Sequence, residues 1–297
     1  LFDTADCIVL YMDGGGGHPA IRARRMKLIQ KPLDRGAGGG NNINVESIDV
    51  GHRAADGTGN NLLRALRRDD MALLQPQLVE WEGKRGTVLY EPGDSVEWVY
   101  FPCGASIVSF LVVLEDGQAV ETALVGREGA VGGIVSQGHL PAYARAQVQF
   151  GGRFLRMRSA DLEQAKMRSL TLRHLFARYA DCVMAQIFQA VACNAAHTIE
   201  QRTARWLKSA MDRTGDHEVP LTQEQLAEML GVGRSYISRI LQQLKKRGFL
   251  TSQRGRMQVT DLVALEGLAC GCNSSVLTHF EDVLSGVYPI EEESTAA

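Results

Sequence analysis

The spacing of apolar residues changes several times along this chain, and each change predicts a different architecture. Up to about Asn60 there is no sustained period. Gly14 to Gly17, Gly38 to Gly40 and Gly57-Thr58-Gly59 interrupt the stretch, with Pro19 and Pro32 adding breaks. Such a segment buries too little apolar surface to offset its ordering entropy. Residues 1–60 are therefore expected to be disordered, or an extension outside the functional protein, and the folded part is expected to begin near Leu62. From Thr87 to Arg158 short runs alternate with turns: Glu91-Pro92-Gly93-Asp94, then Val96 to Phe101, then Pro102-Cys103-Gly104. Ile107 to Leu114 is a strongly apolar strand, and Glu115-Asp116-Gly117 folds it back onto Val120 to Val125. Ala142 to Gln149 and Arg153 to Arg158 continue the series. Many short strands at this spacing predict a small antiparallel barrel or jelly roll.

After Ser159, a predicted N-cap, the period becomes helical. Leu172, Leu175, Phe176, Tyr179, Val183, Ile187 and Val191 form one stripe, and Cys182 to Ala196 holds no charged residue. A helix apolar on nearly every side must be buried on more than one side. Packing against the barrel and against a second copy of the chain satisfies this, so a homodimer is expected. The domains predicted are the barrel over 61–165, a dimerisation helix over 166–196, a further domain over 197–261, and a helical appendage and tail over 262–297.

The third pattern is the most specific. Thr222 and Gln225 have the spacing of a capping box, with Leu221 and Leu226 at the positions of a hydrophobic staple. Gly231 stands where a left-handed C-terminal residue is wanted, and Gly233 is a serviceable N-cap for the next helix. In that helix Ile237, Ile240, Leu241 and Leu244 face a core. Arg234, Ser235, Tyr236, Ser238, Arg239 and Gln242 lie near the start or on the other face, with donors suited to base edges and phosphates. Gly248 to Thr260 reads as two strands around an Arg-Gly turn, a wing that places Arg254 and Arg256 near phosphate. Helix, glycine turn, second helix and wing together predict a winged helix-turn-helix.

Charge supports this reading. The chain of 297 residues carries a formal net charge of −2. Yet between Met229 and Thr260 there is no acidic residue, while Arg234, Arg239, Lys245, Lys246, Arg247, Arg254 and Arg256 fall inside that span. A basic stripe on a helix of this type is the electrostatic footprint of a nucleic-acid reader. Double-stranded DNA is the expected partner, read at a pseudo-palindromic site by a pair of domains. No membrane span is expected, since no apolar run approaches eighteen residues. Leu1 to Leu10 lacks a basic start and contains Asp3 and Asp6, so no signal peptide is expected. Six scattered cysteines do not make a disulfide framework and point to a reducing cytoplasm.

Barrel, long helix and winged helix-turn-helix in this order resemble the Crp/Fnr family of bacterial transcription regulators, over roughly Leu62 to Thr260. The resemblance rests on Pro92-Gly93-Asp94, on the glycine-rich Gly126 to Gly133 leading to Tyr143-Ala144-Arg145, and on Gly231-Val232-Gly233-Arg234-Ser235-Tyr236-Ile237-Ser238-Arg239. It implies an α+β chain: an antiparallel barrel of the cyclic-nucleotide-binding type, a dimerisation helix and a C-terminal winged helix-turn-helix. It also implies a dimer on a two-fold related DNA site, with an effector held in the barrel. By position Arg234, Ser235 and Arg239 match the family's base-reading and phosphate-contacting residues. The effector positions implied are Gly132, Gly133, Tyr143 and Arg145. Gly133 lacks the carboxylate that cyclic-nucleotide binders present to ribose, and Tyr143 replaces their phosphate-binding arginine, so cyclic AMP is not the expected ligand. A small-molecule effector and RNA polymerase stand as open additions to the list of partners.

Three other readings compete with this one. A metal-dependent enzyme on the barrel lacks ligands, since that region offers only His139. An iron–sulfur site lacks a cysteine cluster, since Cys7 and Cys103 stand alone. An effector-independent DNA-binding module, with the barrel as scaffold, stays open. No catalytic residue, metal or cofactor is expected. Cys270-Gly271-Cys272 with His279 is the one metal-like constellation, but its spacing fits no strong zinc pattern. A helical appendage capped by Asp261 and by Ser274 or Ser275 is the preferred reading there, with Cys182 and Cys193 as buried structural residues.

Overall fold

The computed structural model describes residues 6–12, 21–27, 58–135, 141–253 and 255–285. The chain divides into two units, Leu1–Asp49 and Val50–Ala297. In the first, β1 (Asp6–Met12) pairs antiparallel with β2 (Ile21–Lys27), Asp6 opposite Lys27 and Met12 opposite Ile21. Glycine content predicts disorder through residue 60, and the hairpin departs from that. Cys7-Ile8-Val9-Leu10-Tyr11 is a local run of strand-favouring types, which a composition argument averages away. The rest of that expectation, at positions 1–5, 13–20 and 28–57, lies outside the described residues.

The second unit starts earlier than Leu62. Buried Asn60 caps α1 (Asn61–Arg64), accepting from the Leu63 N–H at 3.0 Å. Its amide donates to the carbonyls of Pro102 at 2.8 Å and Gly129 at 2.9 Å, tying the entry of the domain to two later turns. After α2 (Arg68–Leu74) the described residues form seven strands: β3 (Val79–Gly83), β4 (Val88–Tyr90), β5 (Trp98–Pro102), β6 (Ile107–Val113), β7 (Ala119–Val125), β8 (Arg145–Phe150) and β9 (Gly152–Arg158). They form two antiparallel sheets, ordered β3-β9-β5 and β4-β8-β6-β7. Tyr90, Tyr100, Val108, Val125, Ala146, Val148 and Phe154, drawn from both sheets, share one buried cluster. This is the expected jelly-roll form. The nearly continuous apolar run of β6 has a clear cause. Val108 faces the sandwich interior, whereas Ile107 belongs to the core of the DNA-binding half. A strand covered on both faces reads as unbroken hydrophobicity.

Helices follow. α3 (Ser159–Arg168) has Arg158, not Ser159, at its N-cap, because the Ser159 hydroxyl donates to the Val96 carbonyl at 2.9 Å instead. Ser169 is extended and caps α4 (Leu170–Ala196), accepting from Leu172 N at 3.1 Å. The long helix therefore opens at Leu170, after a break that its apolar stripe does not reveal. Leu172, Leu175, Phe176, Tyr179 and Cys182 are buried against the sandwich and α9 (Cys272–Ser285). The Phe280 ring meets Tyr179 edge-on at 6.3 Å. α9 begins at Cys272, so Ser274 and Ser275 lie inside it rather than capping it. Asp261 does cap α8 (Leu262–Leu268), accepting from Ala264 N at 2.9 Å.

The DNA-binding half comprises α5 (Ile199–Thr214), β10 (Glu218–Val219), α6 (Gln223–Leu230), α7 (Arg234–Lys246), β11 (Leu250–Gln253) and β12 (Arg256–Val259). Its small sheet is ordered β10-β12-β11.

Candidate nucleic-acid interface

Local chemistry fixes the angle between α6 and α7. Thr222 Oγ1 accepts from Gln225 N at 3.2 Å while Gln225 Oε1 accepts from Thr222 N at 3.1 Å, so both halves of the capping box form. Leu221 and Leu226 are buried together, as a staple requires. Gly231 ends α6 at φ +65°, a left-handed conformation that costs other residues roughly 1 kcal/mol or more. Gly233 makes no side-chain cap for α7. Ile237, Ile240, Leu241 and Leu244 are buried beneath α7, so its other side is turned outward by necessity.

That outward side carries the predicted reading residues. Arg234, Ser235, Tyr236, Arg239 and Gln242 are exposed and Ser238 is half-buried. The Arg239 guanidinium lies 5.2 Å from the Tyr236 ring centre, which orients it along the helix without neutralising it. Among the described residues neither Arg234 nor Arg239 has an acidic partner. The wing differs. Arg256 donates to Glu218 on β10 at 2.6 Å, so it is held by a carboxylate rather than left open. Arg254 lies outside the described residues.

The four expected effector positions have different surroundings. Arg145 Nε donates to the Glu91 carboxylate at 2.8 Å. Tyr143 is 86% exposed. Gly132 has φ +135°, and a Cβ there would lie 2.5 Å from the Trp98 carbonyl, so its glycine serves close packing. A Cβ at Gly133 would meet Ser159 and Val96 in ordinary contact, the nearest atom being the Ser159 hydroxyl at 3.7 Å. Gly129 is packed more closely still: a Cβ there would overlap the Tyr179 hydroxyl. That hydroxyl accepts from Ala130 N at 3.0 Å and donates to Ala130 O at 3.1 Å. The glycine-rich segment thus lets the long helix approach the sandwich.

A polar junction joins sandwich and DNA-binding half. Glu121 on β7 accepts from Trp206 Nε1 on α5 at 2.7 Å and from Ser109 Oγ at 2.6 Å. Burial pushes its carboxyl up to about 7, against the opposing pull of these bonds and of Arg205 and Arg213. Arg213 donates to Glu128 at 2.8 Å. A cavity of about 30 Å³ lies here, lined in part by Glu121, Arg202, Arg205 and Trp206. That is room for about one water and no effector. Sequence reasoning singles out neither Glu121 nor Trp206. They are 85 positions apart, and no local pattern joins them.

Residues 201–268 match the family model of the Crp-like helix-turn-helix domain. Solved structures share the wider fold. FixK2 from Bradyrhizobium japonicum aligns with a TM-score of 0.56 at 18% identity, over 65% of this chain and 98% of its own. TTHB099, a transcriptional regulator of the CRP family from Thermus thermophilus, gives 0.55 at 20%, over 64% and 96%. CLP, a c-di-GMP responsive global regulator from Xanthomonas campestris, gives 0.53 at 15%, over 64% and 98%. No curated protein sequence matches the chain significantly. Residues 201–268 thus carry a Crp-like helix-turn-helix domain, and the chain shares the fold of solved Crp/Fnr-type regulators.

Proposed function

We propose that this chain is a homodimeric, sequence-specific DNA-binding regulator of transcription, with α7 laid in the major groove. The observation that carries the reading is the outer face of α7, where Arg234 and Arg239 stand exposed with no acidic partner among the described residues. Arg234, Ser235, Tyr236, Ser238, Arg239 and Gln242 take the base-facing side, while Arg254 and Arg256 reach backbone phosphate. Dimerisation is supported by α4. Met184, Ile187, Phe188 and Val191 are all exposed there, at spacings that form one seam along the helix. Selection of bound sequences from a random pool, followed by footprinting, tests the reading. Two inverted half-sites about 34–36 Å apart are expected. A single half-site occupied by a monomer overturns it.

The sandwich tunes this affinity through an effector. Tyr90 supports that step: its hydroxyl is buried beside Gly132 and has no hydrogen-bond partner among the described residues. Burial of an unmatched hydroxyl costs about 1–3 kcal/mol, which a polar ligand atom would relieve. Arg145, already paired with Glu91, argues against a phosphate in the family's usual place and hence against cyclic AMP. The same pairing, with the aromatic filling of the interior by Tyr100, Phe154 and Trp81, favours a second reading in which the sandwich is a scaffold only. Calorimetry with candidate small molecules on wild type and Tyr90→Phe separates the two. Binding weakened by the substitution supports the effector, and no binding supports the scaffold.

A further inference from the structure

Cys270 and Cys272 are the pair singled out in the sequence, but the partner expected for them, His279, is exposed on α9 and takes no part. The structure brings two other residues instead. Cys193 lies in the last turn of α4 and His197 is the C-cap of that helix. Their spacing of four places both on one face. Across from them stand Cys270, just after α8, and Cys272, the first residue of α9. The Sγ atoms of the three cysteines and a ring nitrogen of His197 all lie within 4.8 Å of one another. Cys193 and Cys272 are buried, Cys270 is 9% exposed, and His197 is half-buried.

We propose that Cys193, His197, Cys270 and Cys272 form a mononuclear tetrahedral site for a soft divalent metal, zinc foremost, at the joint between α4 and α5. Distances fit such a centre. With Zn–S near 2.3 Å and Zn–N near 2.0 Å, a tetrahedron has S–S edges of about 3.8 Å and S–N edges of about 3.5 Å. Cys193 Sγ stands 3.6 Å from Cys270 Sγ, and Cys272 Sγ stands 3.6 Å from His197 Nδ1. Gln189 Nε2 donates to Cys272 Sγ at 3.0 Å, as an outer group does when it steadies a thiolate ligand.

Charge is matched as well. Three thiolates against one divalent ion leave one net negative charge. Arg202 and Arg205, on the first turns of α5, act electrostatically on these sulfurs. Binding is a proton-for-metal exchange. Each thiol releases its proton to solvent, sulfur keeps the bonding pair and donates it to the ion, and nothing is oxidised or reduced. Two competing accounts explain less. Core packing gives buried cysteines, but no reason for an imidazole nitrogen to complete the set. A Cys193–Cys270 disulfide would use two of the four groups and leave Cys272 and His197 without a purpose.

The test uses the full chain and reads metal, not DNA binding, so its outcome is independent of the regulatory reading above. Zinc content is measured after exhaustive dialysis, and the metal-free chain is then titrated with Co²⁺. About one metal per chain is expected, with the visible bands of tetrahedral cobalt and near-ultraviolet thiolate charge transfer. Cys193→Ser and Cys272→Ser should lose most of the tight binding, and Cys103→Ser should retain it. His197→Cys should keep one metal and shift the cobalt bands to lower energy. If a serine variant does not fold, alkylation of the wild-type chain decides: metal must protect Cys193, Cys270 and Cys272 against labelling. No tetrahedral cobalt spectrum, unchanged binding in folded serine variants, or a Cys193–Cys270 disulfide whose reduction restores no metal uptake would each overturn the proposal.

Discussion

The outer faces of α7 and α4 contrast with the sandwich. α7 keeps Arg234 and Arg239 open to solvent, and α4 leaves Phe188 and Val191 64% and 65% exposed. The sandwich does the opposite. It ties Arg145 to Glu91, packs Gly132 against Trp98, fits Gly129 beneath Tyr179, and seals Glu121 between Trp206 and Ser109. One region leaves charge and apolar area uncovered, and the other satisfies most of its polar groups within the chain, the Tyr90 hydroxyl being an exception. Isolated surface hydrophobes are ordinary, but a continuous row of them marks an interface. Function on the open faces follows from what is left unmatched. In the sandwich it must come from a change in something already matched, or from the unmatched Tyr90 hydroxyl.

The largest effect is expected on the α4 seam. Phe188→Glu with Val191→Glu places two charges on each side of the proposed dimer. Central apolar interface residues are worth about 2 kcal/mol or more each, so dimer affinity should fall at least about a hundredfold. Sedimentation equilibrium checks it, and a dimer of unchanged affinity would move the interface elsewhere.

Next in size is the sealed carboxyl. Glu121 is half-buried, and desolvation raises its folded pKa to about 7, from 4.5. Between those values the folded chain holds a proton that the unfolded chain has lost. Stability therefore falls as pH rises from about 4.5, and the loss is complete above about 7. At about 1.4 kcal/mol per unit the loss is roughly 3 kcal/mol. Glu121→Gln keeps an acceptor for Trp206 and carries no charge, so it should be more stable than wild type at pH 8 and nearly equal at pH 5. Urea melts at both values test this. Parallel wild-type and mutant pH curves would show that Glu121 does not titrate in this window.

The reading of the fold from sequence divides along the same line as the two regions. α6, Gly231 and α7 are legible because every determinant lies within a few residues of the next: the Thr222–Gln225 box, the Leu221–Leu226 staple, the buried row from Ile237 to Leu244. Strands β5 to β9 are legible for the same reason, through alternation and turns. What is hidden depends on pairs far apart in the chain. Tyr179 explains Gly129 from some fifty positions away, as its bond to Ala130 at a separation of 49 shows, and Glu91 claims Arg145 from 54. The cysteine cluster joins residues 77 apart, and sequence proximity instead suggests His279. Resemblance locates the glycine-rich loop. Its geometry at Gly129 and Gly132 is set by packing.

Base readers come next. Arg234→Ala and Arg239→Ala should each cost about 1–3 kcal/mol on the selected operator and relax preference at particular base pairs. Competition with base-substituted operators measures it. Equal losses on all sequences would reassign both residues to the phosphate backbone.

The smallest effect separates the wing from α7 in kind. Arg256 carries a charge suited to phosphate, but Glu218 holds it at 2.6 Å, with the two side chains 61% and 39% exposed. An exposed pair of this sort is worth about 0–1 kcal/mol. To meet DNA, Arg256 must leave Glu218 or share itself between carboxylate and phosphate, so part of its attraction is cancelled in advance. Arg256→Ala should thus weaken all sequences alike, by under about 1 kcal/mol, and reduce the salt slope by less than the full unit of a free cation. Glu218→Gln should do the reverse, raising affinity at low salt and steepening the slope, because the guanidinium is released and a repelling carboxylate is removed. Titrations of both variants across salt concentration settle the wing's role. If Glu218→Gln leaves the slope unchanged while Arg256→Ala is silent, the pair only braces β10 against β12, and the phosphate contact belongs to other residues.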